Sequence, residues 1–183
     1  MRCPDQLRSL LMKYIFSLLY TLVLFYPATS AADIQVPFGN EIRSPIKNYN
    51  RATPTMATSG TIGKGGVNEL AKKGFATIID LRTENEGTAE EKKSVESAGM
   101  RYINIPVTGA GINHEQLVAF TRIIEKAQTP VLVHCASGNR VGALWTTYRL
   151  SKDINYKIAF EEGRTAGMKP FLEEKVRASC QTC

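Results

Sequence analysis

Histidine, cysteine and tryptophan are scarce in this chain of 183 residues, which contains two, four and one of them. The histidines are His114 and His134, and neither stands at a metal-ligand spacing from a cysteine. The sequence therefore indicates no metal site. It also predicts no cofactor, because the Gly-rich turn at residues 60–66 lacks the spacing and the Ser or Thr of a nucleotide-binding loop.

The chain also lacks an apolar run long enough for a membrane-spanning helix. Its longest apolar run covers the 14 residues 14–27, whereas a spanning helix needs about 20. Small residues follow the run at positions 28–32, and three basic residues precede it: Arg2, Arg8 and Lys13. This order predicts a cleavable signal peptide over residues 1–32, and hence a secreted or periplasmic protein without membrane contact after cleavage.

No run of Lys and Arg follows a pattern suited to a nucleic-acid backbone, so nucleic acid is not an expected partner. The formal net charge of +6 falls to +4 without residues 1–32, which carry three basic groups and one acidic group. A mild positive excess favours a small anionic substrate, such as a phosphate or a sulfur oxyanion. The oligomeric state stays open.

Three cysteines remain after removal of the signal segment: Cys135, Cys180 and Cys183. In an oxidising compartment, three cysteines suggest one disulfide and one odd thiol. The C-x2-C pair in the tail at residues 179–183 is interpreted as a local disulfide or an inert end, with redox partnership or metal capture as alternatives. Cys135 is then the odd thiol.

Apolar, β-branched runs alternate with helical patterns between residues 55 and 178. Strands are predicted over residues 56–59, 75–81, 101–106 and 131–134, each followed by a helical pattern. This alternation predicts an α/β domain with a central, mostly parallel sheet flanked by helices. Residues 33–54 are predicted as an extended lead-in with a short edge strand near residues 49–53, and the two helices within residues 155–177 are assigned to packing.

Residues 131–145 place Cys135 between a strand and a helix, where the helix N-terminus stabilises a thiolate. Arg140 closes the loop with a planar fork that suits two oxygens of a phosphate. His134 is predicted to support the loop. A single buried cysteine is often only a small apolar residue, but this combination favours a catalytic or anion-binding site. The backbone N–H groups predicted to bind the substrate belong to the residues between Cys135 and the helix: Ala136, Ser137, Gly138, Asn139 and Arg140 itself.

Ligands of parallel sheets bind beyond the carboxyl ends of the strands. Residues 82–87 and 107–112 emerge at the same edge as the Cys135 loop. Glu84 and Glu86 in the first of these segments are candidate general acids, and the alternative is that they are simply solvated.

The heptapeptide His-Cys-Ala-Ser-Gly-Asn-Arg at residues 134–140 resembles the phosphate-binding loop of cysteine-dependent phosphatases. The resemblance is closer to the beta-lactamase-hydrolase-like phosphatase-like domains of the dual-specificity and tyrosine phosphatase superfamily, and it extends through residues 59–60, 74–86 and 99–106 to about 145. It implies a dual-specificity-phosphatase-like fold and a phosphocysteine intermediate. It further implies that Cys135 attacks phosphorus, that Arg140 binds equatorial oxygens, and that a nearby acid protonates the leaving group.

Three departures keep other functions open. Four residues separate Cys135 from Arg140 where ordinary cysteine phosphatases have five, and four is also the spacing of many rhodanese-like sulfurtransferases, which carry a persulfide. Val141 stands where a Ser or Thr usually follows the arginine, and no aspartate follows the strand at residues 101–106. The leading hypothesis is a cysteine-dependent phosphate monoester hydrolase. The alternatives are a sulfurtransferase that uses a Cys135 persulfide, and a catalytically weak oxyanion-binding module.

Overall fold

The computed structural model describes residues 35–42 and 45–180, so the predicted signal peptide and Cys183 lie outside the described residues. The described part contains five strands: β1 Asn50–Thr53, β2 Met56–Ser59, β3 Thr77–Asp80, β4 Arg101–Asn104 and β5 Val131–His134. It also contains six α-helices: α1 Gly66–Lys72, α2 Thr88–Ser97, α3 His114–Ile124, α4 Asn139–Leu150, α5 Tyr156–Thr165 and α6 Pro170–Cys180. Short 3-10 turns occupy Gly39–Glu41 and Glu84–Glu86.

The strands form one sheet in the order β1-β2-β5-β3-β4. All neighbouring pairs are parallel except β1 and β2, which are antiparallel at one edge. The predicted α/β fold with a mostly parallel central sheet is therefore confirmed, and the predicted edge strand corresponds to β1.

The register aligns the carboxyl ends of the four parallel strands. His134 of β5 pairs with Ser59 on one side and with Asp80 on the other, and Asp80 pairs with Asn104 of β4. The segments that follow these residues consequently leave the sheet at one level, where ligands of parallel sheets bind.

Helices cover both faces of the sheet because alternate strand residues point to opposite sides. Ile78 and Leu132 pack with Leu70 of α1 and Val95 of α2 on one face. The opposite face forms the second apolar cluster, which includes Ile79, Val133, Phe120, Leu144 and Trp145. Full burial of one such side chain contributes about 1.5–3 kcal/mol, so the two clusters hold the strand ends in place.

Residues predicted as an extended lead-in contribute to the core. Val36, Ile42 and Ile46 are buried in the cluster on the α1 and α2 face. The start of helix α3 agrees with its predicted cap, because Asn113 accepts a hydrogen bond from the Gln116 N–H at 2.8 Å and Gln116 accepts one from the Asn113 N–H at 3.0 Å.

Helices α5 and α6 pack against α4 through a third apolar cluster that includes Ala143, Phe160 and Leu172. Gly142 of α4 and Gly163 of α5 allow a close crossing, since a Cβ on Gly142 would overlap the Gly163 carbonyl oxygen. Helix α6 extends to Cys180, so it includes the first two residues of the predicted tail. Among the described residues, no helix has the length and apolar character needed to cross a membrane.

Candidate active site

The loop after β5 is held by hydrogen bonds to its outward-facing carbonyl groups. Thr61 donates to the Ala136 oxygen from its backbone N–H at 3.2 Å and from its hydroxyl at 2.8 Å. The Asn48 side-chain amide donates to the Ser137 oxygen at 3.1 Å. The N–H of a planar trans peptide points away from its C=O, so these contacts turn the N–H groups of Ser137 and Gly138 towards the inside of the loop.

Gly138 makes the tight turn possible. Its φ of 88° lies in the left-handed region, and a Cβ there would also overlap the Ala166 carbonyl oxygen. The Gly138 N–H donates to Cys135 Sγ at 3.2 Å. The sulfur therefore acts as an acceptor inside the loop.

The inward N–H groups of the loop form a cradle, and Cys135 lies at its base. The cysteine is 0% exposed. It packs in the same apolar cluster as Leu81, Val107 and Val141. The 12-residue helix α4 begins four residues later, so its positive end lies next to the sulfur. The cysteine thus packs against apolar side chains on one side, and on the other its sulfur accepts a hydrogen bond.

Arg140 is fixed at the mouth of the loop by an acidic side chain and two carbonyl groups. Its Nη1 and Nη2 donate to the two oxygens of Glu86 at 2.7 and 2.6 Å, and Nη1 also donates to the Val107 oxygen at 3.0 Å and the Leu81 oxygen at 3.5 Å. Nη1 and Nη2 are the donors in all four of these contacts. The hydrogen bonds with Glu86 raise the pKa of Arg140 despite its partial burial, and the nearby Cys135 adds to the increase.

Glu86 is an ionised partner of Arg140. The hydrogen bonds from Arg140 lower the pKa of Glu86 to about 2, and Thr83 adds hydrogen bonds to the same carboxylate from its backbone N–H and its hydroxyl, both at 2.9 Å. A carboxylate that is ionised at neutral pH has no proton to give, so this geometry favours a role for Glu86 in orienting Arg140. Glu84 lies on the same 3-10 turn with an exposed side chain. The assignment of either residue as general acid stays a prediction.

A second charged cluster lies below the loop, around the buried carboxylate of Asp80. Arg82 donates to Asp80 from its backbone N–H, Nε and Nη2 at 2.8–3.1 Å, and the Tyr102 hydroxyl donates at 2.8 Å. Burial alone would raise the pKa of Asp80, but the hydrogen bonds from Arg82, the nearby His134 and the Tyr102 hydroxyl together lower it. Burial and the bond to Asp80 raise the pKa of Tyr102, which keeps the phenol protonated.

His134 contributes its ring to this lower cluster and not to the loop itself. Its Nε2 lies 2.7 Å from Glu91 Oε1 and 3.6 Å from Asp80 Oδ1, and the side chain is fully buried. The ring therefore lies between β5 and helix α2, in contact with Glu91, one residue before Cys135. Its predicted role in supporting the loop stays a prediction, and the Glu91 contact is the route by which it would act.

The donor atoms of Asp80, Glu91 and His134 lie within 4.8 Å of one another, which is close enough for a shared cation. The Arg82 guanidinium already fills that role, because its Nη2 lies 2.8 Å from both Asp80 Oδ2 and Glu91 Oε2. The arrangement fits an internal ion-pair network, and we assign no metal to it.

The residues that shape the loop from outside carried little signal in the sequence. Asn48 and Thr61 bind the loop from 89 and 75 residues away. The segment between α5 and α6 also touches it, since the Lys169 N–H donates to Asn139 Oδ1 at 2.8 Å. The helices α5 and α6, assigned to packing from their sequence, thus place their connecting segment against the loop. Glycine at positions 138 and 167 is a local signal for this contact, because both residues adopt left-handed conformations.

Comparison with known proteins supports the phosphatase-like character of the domain. A curated beta-lactamase hydrolase-like protein from Xylella fastidiosa (strain Temecula1 / ATCC 700964) is 32% identical over 117 residues, which are 61% of this chain and 26% of that protein. The chain thus spans about a quarter of the length of that relative.

Two solved structures share the fold. A candidate phosphatase from Neisseria meningitidis Z2491 superposes with a TM-score of 0.61 at 25% identity, covering 68% of this chain and 93% of that one. The TpbA protein of P. aeruginosa, solved with phosphotyrosine, gives a TM-score of 0.59 at 20% identity, covering 75% and 90%. The predicted dual-specificity-phosphatase-like architecture is confirmed. The family model for the phosphatase-like domain of beta-lactamase hydrolase-like proteins matches residues 48–151, and the chain belongs to that family.

Proposed function

We propose that the protein is a cysteine-dependent phosphatase that hydrolyses a phosphate monoester through a phosphocysteine intermediate. The observation that carries the proposal is the Gly138 N–H donating to Cys135 Sγ at 3.2 Å inside a loop closed by Arg140. A cradle of inward N–H groups with a nucleophile at its base suits a tetrahedral oxyanion.

In the proposed reaction the Cys135 thiolate attacks phosphorus, so that an S–P bond forms and the P–O bond to the leaving group breaks. The loop N–H groups and the Arg140 guanidinium bind the equatorial oxygens, where negative charge is concentrated in the transition state. The leaving oxygen takes a proton from an acid or from water. Water then attacks the phosphocysteine, which releases inorganic phosphate and restores the thiolate.

The buried position of Cys135 bears on how a substrate enters. With no exposed surface on Cys135, a phosphate group reaches the sulfur only when side chains at the mouth move aside. The ion pair of Arg140 and Glu86 lies at that mouth, and Glu86 is one-third exposed. We infer that the entering phosphate displaces part of this pair and takes over N–H groups of Arg140.

Phosphate release from an aryl phosphate tests the proposal. Wild-type protein should release phosphate, and Cys135→Ser should reduce the rate to background because a hydroxyl is a poor nucleophile without a base. Cys180→Ser is the matched control and should retain the wild-type rate. Mass spectrometry of acid-quenched reactions should find the added phosphoryl group on the peptide that contains Cys135.

The same proteins should be assayed with thiosulfate and cyanide, which tests the sulfurtransferase alternative. Thiocyanate that depends on Cys135, without phosphate release, would replace the phosphatase proposal with persulfide chemistry. Oxyanion binding without either product would instead indicate a binding module.

A further inference from the structure

We propose that a recess beside the Cys135 loop, flanked by Lys47 and Lys169, is a second anion subsite. It would select phosphate monoesters that carry a second phosphate group. The inference rests on the proposed function, because it assumes that the first phosphate lies in the Cys135 cradle.

The recess has a volume of about 510 Å³, within the range of small-molecule sites. Ser137 of the catalytic loop forms one wall, and Asn48 and Thr165 add neutral polar groups. No acidic side chain lines it among the described residues. Ser137 thus belongs both to the Cys135 loop and to the recess, and the two sites adjoin at this residue.

The backbone of Lys47 is pinned to the strand end that holds the loop. The Gly60 N–H donates to the Lys47 oxygen at 2.7 Å, and the Lys47 N–H donates to the Thr61 oxygen at 3.1 Å. Thr61 in turn donates twice to Ala136. The backbone of Lys47 is therefore fixed next to the segment that holds the loop, and these contacts do not depend on its side chain.

Lys169 is fixed from the opposite side. Its N–H donates to Asn139 Oδ1 at 2.8 Å, and the preceding Gly167 packs against the loop, where a Cβ would lie 3.2 Å from the Ser137 oxygen. The backbones of two lysines from distant parts of the chain are thus fixed beside the same six-residue loop, Lys169 directly and Lys47 through Thr61.

Their charges are not neutralised by the protein. Within the described ranges, neither Lys47 nor Lys169 forms an ion pair, whereas Lys152 pairs with Glu125 at 2.7 Å. A larger recess of about 680 Å³ next to α2 contains both lysines and glutamates, including Glu90 and Glu91. The recess beside Ser137 has only the positive charges, which favours an anionic group there.

Calorimetry with the Cys135→Ser protein tests the subsite without turnover. The probes are butane-1,4-diol monophosphate and butane-1,4-diol bisphosphate, which differ only in the second phosphate. The bisphosphate should bind about tenfold more tightly, as expected for hydrogen bonds to charged groups. Adding Lys47→Met and Lys169→Met should bring its affinity close to that of the monophosphate and leave the monophosphate affinity unchanged.

The matched control adds Lys72→Met and Lys126→Met, which remove the same charge from exposed positions away from the recess. It should keep the tenfold preference. An equal preference in the two double variants would overturn the subsite, and so would failure of both probes to bind. If Arg140→Ala abolishes monophosphate binding while bisphosphate binding still depends on the two lysines, the subsite is supported independently of the cradle. Cys135-dependent hydrolysis without any lysine-dependent preference would leave the phosphatase standing and remove the subsite.

Discussion

Two arginine–carboxylate pairs lie at the same edge of the sheet and differ in what surrounds them. Asp80 ends β3 and Arg82 follows it, with side chains 0% and 10% exposed. The Tyr102 hydroxyl donates a further hydrogen bond to Asp80, and Glu91 forms a second ion pair with Arg82. Arg140 and Glu86 meet at the mouth of the loop, with side chains 14% and 33% exposed. The first pair is enclosed by protein partners, whereas the carboxylate of the second is open to solvent.

The difference shows how one chemical pairing serves two purposes. A buried pair with every partner inside the protein cannot exchange one of them without a large desolvation cost. A pair at a solvent-accessible mouth can exchange its carboxylate for the oxyanion of a substrate, because water and ligand both reach it. We expect variants of the two pairs to separate into effects on catalysis and effects on stability.

The largest effect is expected for Arg140→Lys, which keeps the charge and removes the planar fork. Loss of oriented N–H donors at a developing oxyanion should lower kcat/KM for an aryl phosphate by about 100- to 1,000-fold. Steady-state kinetics measures this loss, and urea unfolding should show little change. A variant that unfolds readily while folded molecules turn over normally would make Arg140 a structural residue like Arg82.

Asp80→Asn should act on stability. The substitution leaves the buried Arg82 guanidinium with Glu91 as its remaining carboxylate, which should cost about 3 kcal/mol of unfolding free energy. Urea denaturation followed by circular dichroism measures the loss. Glu86→Gln is the matched comparison and should change the unfolding free energy by about 1 kcal/mol or less, since pairs near the surface contribute little. Equal losses of unfolding free energy in the two variants would show that the two pairs contribute alike to stability.

Glu86→Gln and Glu84→Gln separate orientation from proton donation. If Glu86 orients Arg140, its substitution should reduce kcat about tenfold for aryl and alkyl phosphates alike, because a misplaced guanidinium affects every substrate. If Glu84 is the general acid, its substitution should slow alkyl phosphates, which have poor leaving groups, by about 100-fold and leave activated aryl phosphates nearly unchanged. Equal losses on both substrates with Glu84→Gln would contradict an acid role for Glu84.

The smallest effect concerns pH. The folded-state pKa of Glu86 is about 2, below its model-peptide value of 4.5, so the pair with Arg140 stabilises the folded state fully above pH 4.5. This contribution should be lost as the pH falls from 4.5 towards 2. The difference in unfolding free energy between wild type and Glu86→Gln should thus be constant at neutral pH and shrink in acid. A difference that is independent of pH down to 2 would show that the carboxylate is not ionised in the pair.

The fold could be predicted because its signals are local. The β-branched runs before Asp80 and Cys135 mark buried parallel strands, and Asn113 with Gln116 marks the start of α3. The position of the Cys135 loop between a strand and a helix could also be predicted, since Cys135, Gly138 and Arg140 are close together in the chain.

The partners of the loop could not be predicted, because they are set by tertiary contacts. Glu86 meets Arg140 across 54 residues, and it does so in place of Glu84 because the 3-10 turn and Thr83 fix the direction of its carboxylate. No periodicity in the sequence distinguishes two glutamates that are two residues apart. The same holds for Asn48, whose contact with Ser137 exists only when β1 has joined the sheet.

The crossing of α4 and α5 at Gly142 and Gly163 affects how genetic data on this protein would be interpreted. A side chain at either glycine overlaps the other helix, and α4 begins in the Cys135 loop. A random-mutagenesis screen that scores only lost activity would therefore recover these two glycines together with Cys135 and Arg140. Soluble protein levels would divide the hits, since the glycine alleles should disappear from the cell extract while catalytic alleles accumulate as inactive protein.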